Sequence, residues 1–158
     1  MNFRTKKSIS QKLKAKELVA EINYCYGEFD KIITNYRIEK IISIGDSNKC
    51  VGRLPTPHES HPIDMVGSGI AFQECISKKK ELKIKQNKSY FELRSGIYIC
   101  PDVAGIVGII KFAYDIWADT VNTALRLQTS GTVDKVNISG ATQHYIKDYF
   151  ECTYRAKI

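Results

Sequence analysis

Gly45-Asp46 lies between two strand-like stretches, and this hairpin constrains the chain more than any other local feature. Ile38 to Ile44 is rich in isoleucine, and Lys49 to Leu54 returns after the turn pair. Two strands joined so closely must run antiparallel. Upstream, Leu13, Leu18, Val19, Ile22, Tyr26, Phe29 and Ile33 recur at helical spacing behind Ser8 or Ser10 as a cap. Downstream, Pro55, Pro57 and Pro62 mark a loop, and a helix is expected from Pro62 to Lys80. Tyr90 to Ile99 and Val103 to Ile110 read as strands broken by Pro101-Asp102. A helix over Ile116 to Gln128, a strand over Val133 to Ile138, a helix over Ala141 to Asp148 and a last strand over Phe150 to Tyr154 complete the pattern. Helices and strands mix without strict alternation, so the expected class is α+β with a mostly antiparallel sheet.

With 158 residues and 43% hydrophobic content, residues 1–158 suit one domain with a real core. No apolar stretch approaches the ~20 residues of a membrane span. Met1 to Lys7 is polar and basic, unlike a signal peptide. The expected location is therefore cytoplasmic. The five cysteines (Cys25, Cys50, Cys75, Cys100, Cys152) lack metal-ligand spacing and read as reduced, mostly buried thiols. Net charge is +7, much of it in Lys78, Lys79, Lys80, Lys83, Lys85 and Lys88. Such a run suits nucleic acid or an anionic membrane in charge. It lacks interleaved aromatics, so it reads as a solvated helix end and loop, and no nucleic-acid partner is expected.

The run from Tyr114 to Arg126 carries the chemistry. Asn122 and Arg126 stand at i and i+4, on one helix face. An arginine fork suits phosphate oxygens, and an asparagine amide can hold a hydroxyl or ether oxygen. Asp115 can accept from an exocyclic base nitrogen, or it can cap the following helix. Base, sugar and phosphate contacts in one segment describe a nucleotide site.

This run resembles the signature of the class III nucleotide cyclases, the adenylate and guanylate cyclase catalytic domain. Lys40-Ile41-Ile42-Ser43-Ile44-Gly45-Asp46-Ser47, Leu54-Pro55, Leu93-Arg94-Ser95-Gly96-Ile97, Val103 to Gly108 and Val136-Asn137-Ile138-Ser139 resemble further family motifs, in the family's order. Glu17 to Asp30 resembles the family's first helix. The resemblance implies a ferredoxin-like βααββαβ core, and a reaction in which the ribose 3′-hydroxyl of ATP or GTP attacks the α-phosphate and pyrophosphate leaves. It implies two divalent ions, Mg²⁺ or Mn²⁺, held by two carboxylates. It also implies a head-to-tail homodimer or heterodimer whose site is shared between subunits. Residue by residue, Asp46 matches a metal carboxylate, Asn122 the ribose-orienting amide, Arg126 the transition-state arginine, Arg94 a phosphate-contacting arginine and Asp115 a purine reader.

The departures are as informative. The first metal carboxylate falls on Asn2, which brings no negative charge. The position four residues before Asp46, Lys in adenylate and Glu in guanylate cyclases, is Ile42, which cannot hydrogen-bond a purine edge. Lys40 is expected on the same strand face as Ile42. The chain ends before the family's C-terminal lysine segment, so the domain reads as missing part of its first strand and its C-terminal portion. Two further readings follow: a cyclase-fold module of little turnover that binds nucleotide or serves as a dimer partner, and a basic ferredoxin-like nucleic-acid binder, which leaves the Tyr114 to Arg126 run unexplained.

Overall fold

The computed structural model describes residues 1–4, 15–53, 56, 58–99 and 118–155. Its elements run β1 (Asn2–Arg4), α1 (Ala15–Asn35), β2 (Glu39–Ile44), β3 (Ser47–Val51), α2 (His61–Lys85), β4 (Glu92–Ile97), α3 (Ala118–Ser130), β5 (Lys135–Ile138) and α4 (Gly140–Ile146). The sheet order is β2-β3-β1-β4-β5. Its first three neighbouring pairs are antiparallel, and β4-β5 is parallel. This is the expected α+β architecture with a mostly antiparallel sheet. The Ser8 or Ser10 cap, the strand expected over 103–110, Cys100 and Asp115 lie outside the described residues.

The α1 periodicity translates directly into packing. Cys25, Phe29 and Ile33 are buried, and they meet Phe72 and Ile76 of α2 and Phe91 and Leu93 at β4. The rings of Phe29 and Phe72 lie 4.5 Å apart at 55°, the tilted geometry aromatic pairs favour. On β4, Leu93, Ser95 and Ile97 are buried, and they alternate with Glu92, Arg94 and Gly96. Ser95 accepts a hydrogen bond from Gln73 of α2 at 3.0 Å, which fixes the first set toward the α2 layer. The alternate face of β4 receives α3. A Cβ on Gly96 would stand 2.3 Å from the Gln128 amide nitrogen and 2.4 Å from the Ala124 carbonyl oxygen. Only glycine permits that approach. A second cluster of Val66, Ile97, Ile99 and Ile146 docks α4 beside α2. Ser139 caps α4 by accepting from the Thr142 amide at 3.0 Å.

Several expectations need correction. Residues 151–155 form no strand. Phe150 packs against the second cluster, but Tyr154 is 84% exposed and the segment finds no partner strand among the described residues. The lysine run is not simply solvated. The helix continues to Lys85, and spacing of four turns Lys79 and Lys83 onto Glu21 of α1. Lys80 bridges Glu92 at 2.9 Å and Asp134 at 2.7 Å. These pairs join α2 to α1, β4 and the turn before β5. Among the four described cysteines, all free, Cys25 is buried and Cys152 is exposed, so the thiols are less buried than expected. No described helix is long and apolar enough to cross a membrane.

Candidate active site

The hairpin tip places Asp46. Gly45 adopts φ +59°, a conformation natural to glycine, and turns β2 into β3. The Tyr26 hydroxyl of α1 donates to the Gly45 carbonyl at 3.1 Å. Burial, and then the negative charge of Asp46, push the Tyr26 phenol up to about 12, so it stays a protonated donor near neutral pH. Asp46 itself is half-buried.

Backbone pairing brings Asn2 beside this tip. Asn2 lies opposite Ser47, the residue after Asp46, and on its other side opposite Arg94. Ile44, Ser47, Asn2, Arg94 and Lys135 thus form one row across all five strands. The two positions expected to hold metal are therefore neighbours through backbone register. The donor types are unequal, one carboxylate and one neutral amide. Among the described residues, no three His, Cys, Asp or Glu side chains converge as a metal cage. Asp46 offers the hard anionic oxygen that Mg²⁺ or Mn²⁺ prefers, and this donor set fits one such ion better than two.

The two base-facing expectations on β2 separate. Lys40 pairs with Cys50 and Ile42 with Lys49, so the register shifts between them. Cys50 packs on the core side, whereas Lys49 is exposed. Directly opposed residues share a sheet face, so the bulge puts Lys40 and Ile42 on opposite faces. Lys40 is spent on Asp30 of α1, with Nζ at 2.7 and 3.0 Å from the two carboxylate oxygens. Ile42 remains 45% exposed. The expectation that they share a face fails because a bulge breaks the two-residue period.

On α3, Asn122 and Arg126 are exposed, one turn apart, and neither side chain has a hydrogen bond or ion pair among the described residues. The buried edge of that helix is Leu127 and Gln128, with Ala124 beside Gly96. Arg94 reaches the same helix: its Nη1 donates to the Thr129 carbonyl at 2.8 Å, at the C-terminal end of α3. A cation there also meets the negative end of the helix dipole. The helix bearing Asn122 and Arg126 lies on β4 and β5, whereas Asp46 caps the β2-β3 hairpin.

The adenylate and guanylate cyclase catalytic domain family model matches residues 2–158. The chain belongs to that family. This cyclase domain is 31% identical over 137 residues to adenylate cyclase type 9 of Gallus gallus, covering 87% of the chain and 10% of that protein. It is 33% identical over 139 residues to the receptor-type guanylate cyclase gcy-5 of Caenorhabditis elegans, covering 87% of the chain and 12% of that protein. It superposes on the adenylyl cyclase CyaB from P. aeruginosa with a TM-score of 0.82 and 25% identity, covering 96% of this chain and 79% of that one. The cyclase domain spans about a tenth of the length of the two animal relatives. Sequence reasoning named Asp46, Asn122 and Arg126 but did not anticipate the contacts of Tyr26 with the Gly45 carbonyl, of Asp30 with Lys40 or of Arg94 with the end of α3. The spacing of four between Tyr26 and Asp30 on α1 was the available signal.

Proposed function

We propose that residues 1–158 form a single nucleotide cyclase domain that converts ATP, or GTP, to its 3′,5′-cyclic nucleotide and pyrophosphate in the cytoplasm, for signalling. The ribose 3′-oxygen forms a bond to the α-phosphorus as the bridging bond to the β-phosphate oxygen breaks, and the 3′-hydroxyl proton passes to solvent. The observation that carries this reading is the exposed Asn122 and Arg126 pair, one turn apart on α3 of a cyclase-family domain. Asn122 orients the ribose, and Arg126 stabilises charge that develops on the phosphates. Asp115 accepts from the purine amino group. Arg94 acts through α3, whose end it holds. Asp46, with Asn2 beside it, would hold a divalent metal. Such an ion supplies neutralising charge at the phosphates and at the attacking oxygen. Ile42 contributes contact but no hydrogen bond to the base. Because Asp46 and α3 belong to different parts of the sheet, a dimer pairs the hairpin of one subunit with α3 of the other.

Cyclic nucleotide formation from ATP and from GTP, with Mn²⁺ and with Mg²⁺, tests this over a range of protein concentrations. Product that rises faster than linearly with protein is expected. Absence of product with nucleotide still bound overturns turnover by this chain alone. The uncharged Asn2 favours a second reading, in which the chain lends Asn122 and Arg126 to a partner that carries both carboxylates. Activity that appears only on mixing with such a partner selects it.

A further inference from the structure

Asp46 sits at a hairpin tip, and productive geometry needs placement to about 0.5 Å. Here α1 grips the hairpin at two points with residues one helical turn apart. Asp30 takes both hydrogen bonds from Lys40 near the start of β2. Tyr26 reaches the Gly45 carbonyl at the tip, with Lys40 Nζ 5.8 Å from its ring centre. The strut is rooted in the core, since the Tyr26 ring packs against Phe29 at 6.3 Å and Phe29 against Phe72 at 4.5 Å. The Gly45 carbonyl and the Asp46 amide belong to one planar peptide unit. Holding that oxygen fixes the plane from which Asp46 departs.

We propose that Tyr26 is a positioning residue for Asp46, its hydroxyl setting the Gly45-Asp46 peptide plane and thereby the direction of the carboxylate. The inference rests on the reading of Asp46 as the metal carboxylate. Tyr26 touches neither nucleotide nor metal in this role. Its ring fills core-facing space that phenylalanine also fills, so Tyr26→Phe removes the hydroxyl alone.

The test compares the full chain with Tyr26→Phe, Asp46→Asn and the double variant. Amide hydrogen exchange is read over residues 43–48, and Mn²⁺ affinity is read by paramagnetic resonance with a non-cyclisable ATP analogue. Loss of one hydrogen bond of ordinary net strength predicts roughly 2- to 12-fold faster exchange at the tip, with α1 and β4 unchanged. Mn²⁺ affinity falls by a similar factor, and the effect of Tyr26→Phe on Mn²⁺ disappears when Asp46 is already asparagine. Unchanged exchange at the tip overturns the bracing. Faster exchange with unchanged Mn²⁺ affinity overturns the positioning role and leaves a purely structural bond. Wild-type chain that binds Mn²⁺ no better than Asp46→Asn overturns the metal reading of Asp46, and the inference with it.

Discussion

Gly96 shows how one missing side chain determines where α3 lies. The sheet and helix backbones meet so closely there that a methyl group would overlap both Gln128 and Ala124. Gly96→Ala is therefore expected to cost about 1–3 kcal/mol, the usual range for forcing extra volume into a packed contact, as read by chemical denaturation. It also displaces Asn122 and Arg126, which ride on the same helix. At this scale the sequence was readable where chemistry is local. Asp46 follows a turn glycine, and the amide and guanidinium one turn apart declare themselves by spacing. Arg94 was not readable, because its partner is a backbone carbonyl on a helix 35 residues away. A carbonyl leaves no mark in residue type.

Among the elements, α1 and α2 form the support on which the hairpin is braced, and ion pairs fasten one to the other. Burial pushes the Glu21 carboxyl up, but hydrogen bonds and charge from Lys79 and Lys83 outweigh it and leave the group below its ordinary value. A lowered folded value means that the stabilisation is complete above the unfolded carboxylate range near pH ~4.3. It is lost as pH falls through the folded value. Stability measured from pH 6 down to pH 2 should decline across that window, and Glu21→Gln should flatten the acid limb. The loss at neutral pH should stay within about 1 kcal/mol, since the group is only partly buried. The lysine run looked solvated in sequence because its acidic partners sit up to 62 residues away. Helix periodicity was legible, whereas the β2 bulge was not. A one-residue shift in pairing changes no residue type, yet it sends Lys40 and Ile42 to opposite faces.

For the molecule as a whole, fold class was legible because α+β patterning survives without knowledge of partners. The division of the candidate site was not derivable from spacing alone, since it depends on which strands lie side by side. If Asp46 and Arg126 act from different subunits, Asp46→Asn and Arg126→Ala chains should each be inactive alone. Mixed together they should regain activity, because one of the two sites in the mixed dimer keeps both residues. A mixture as inactive as its components would place both groups in one subunit. The sheet has a further property, in time rather than in space. Its middle position is filled by residues 2–4, which pair with residues 92–94. This strand must therefore wait until about 90 further residues have followed it before it can be enclosed. Closing so long a loop carries its entropy late, which makes insertion of this strand the natural slow step of folding. Until then β2-β3 and β4-β5 have no common neighbour, and each two-stranded half of the sheet leaves an edge open to pairing with other chains.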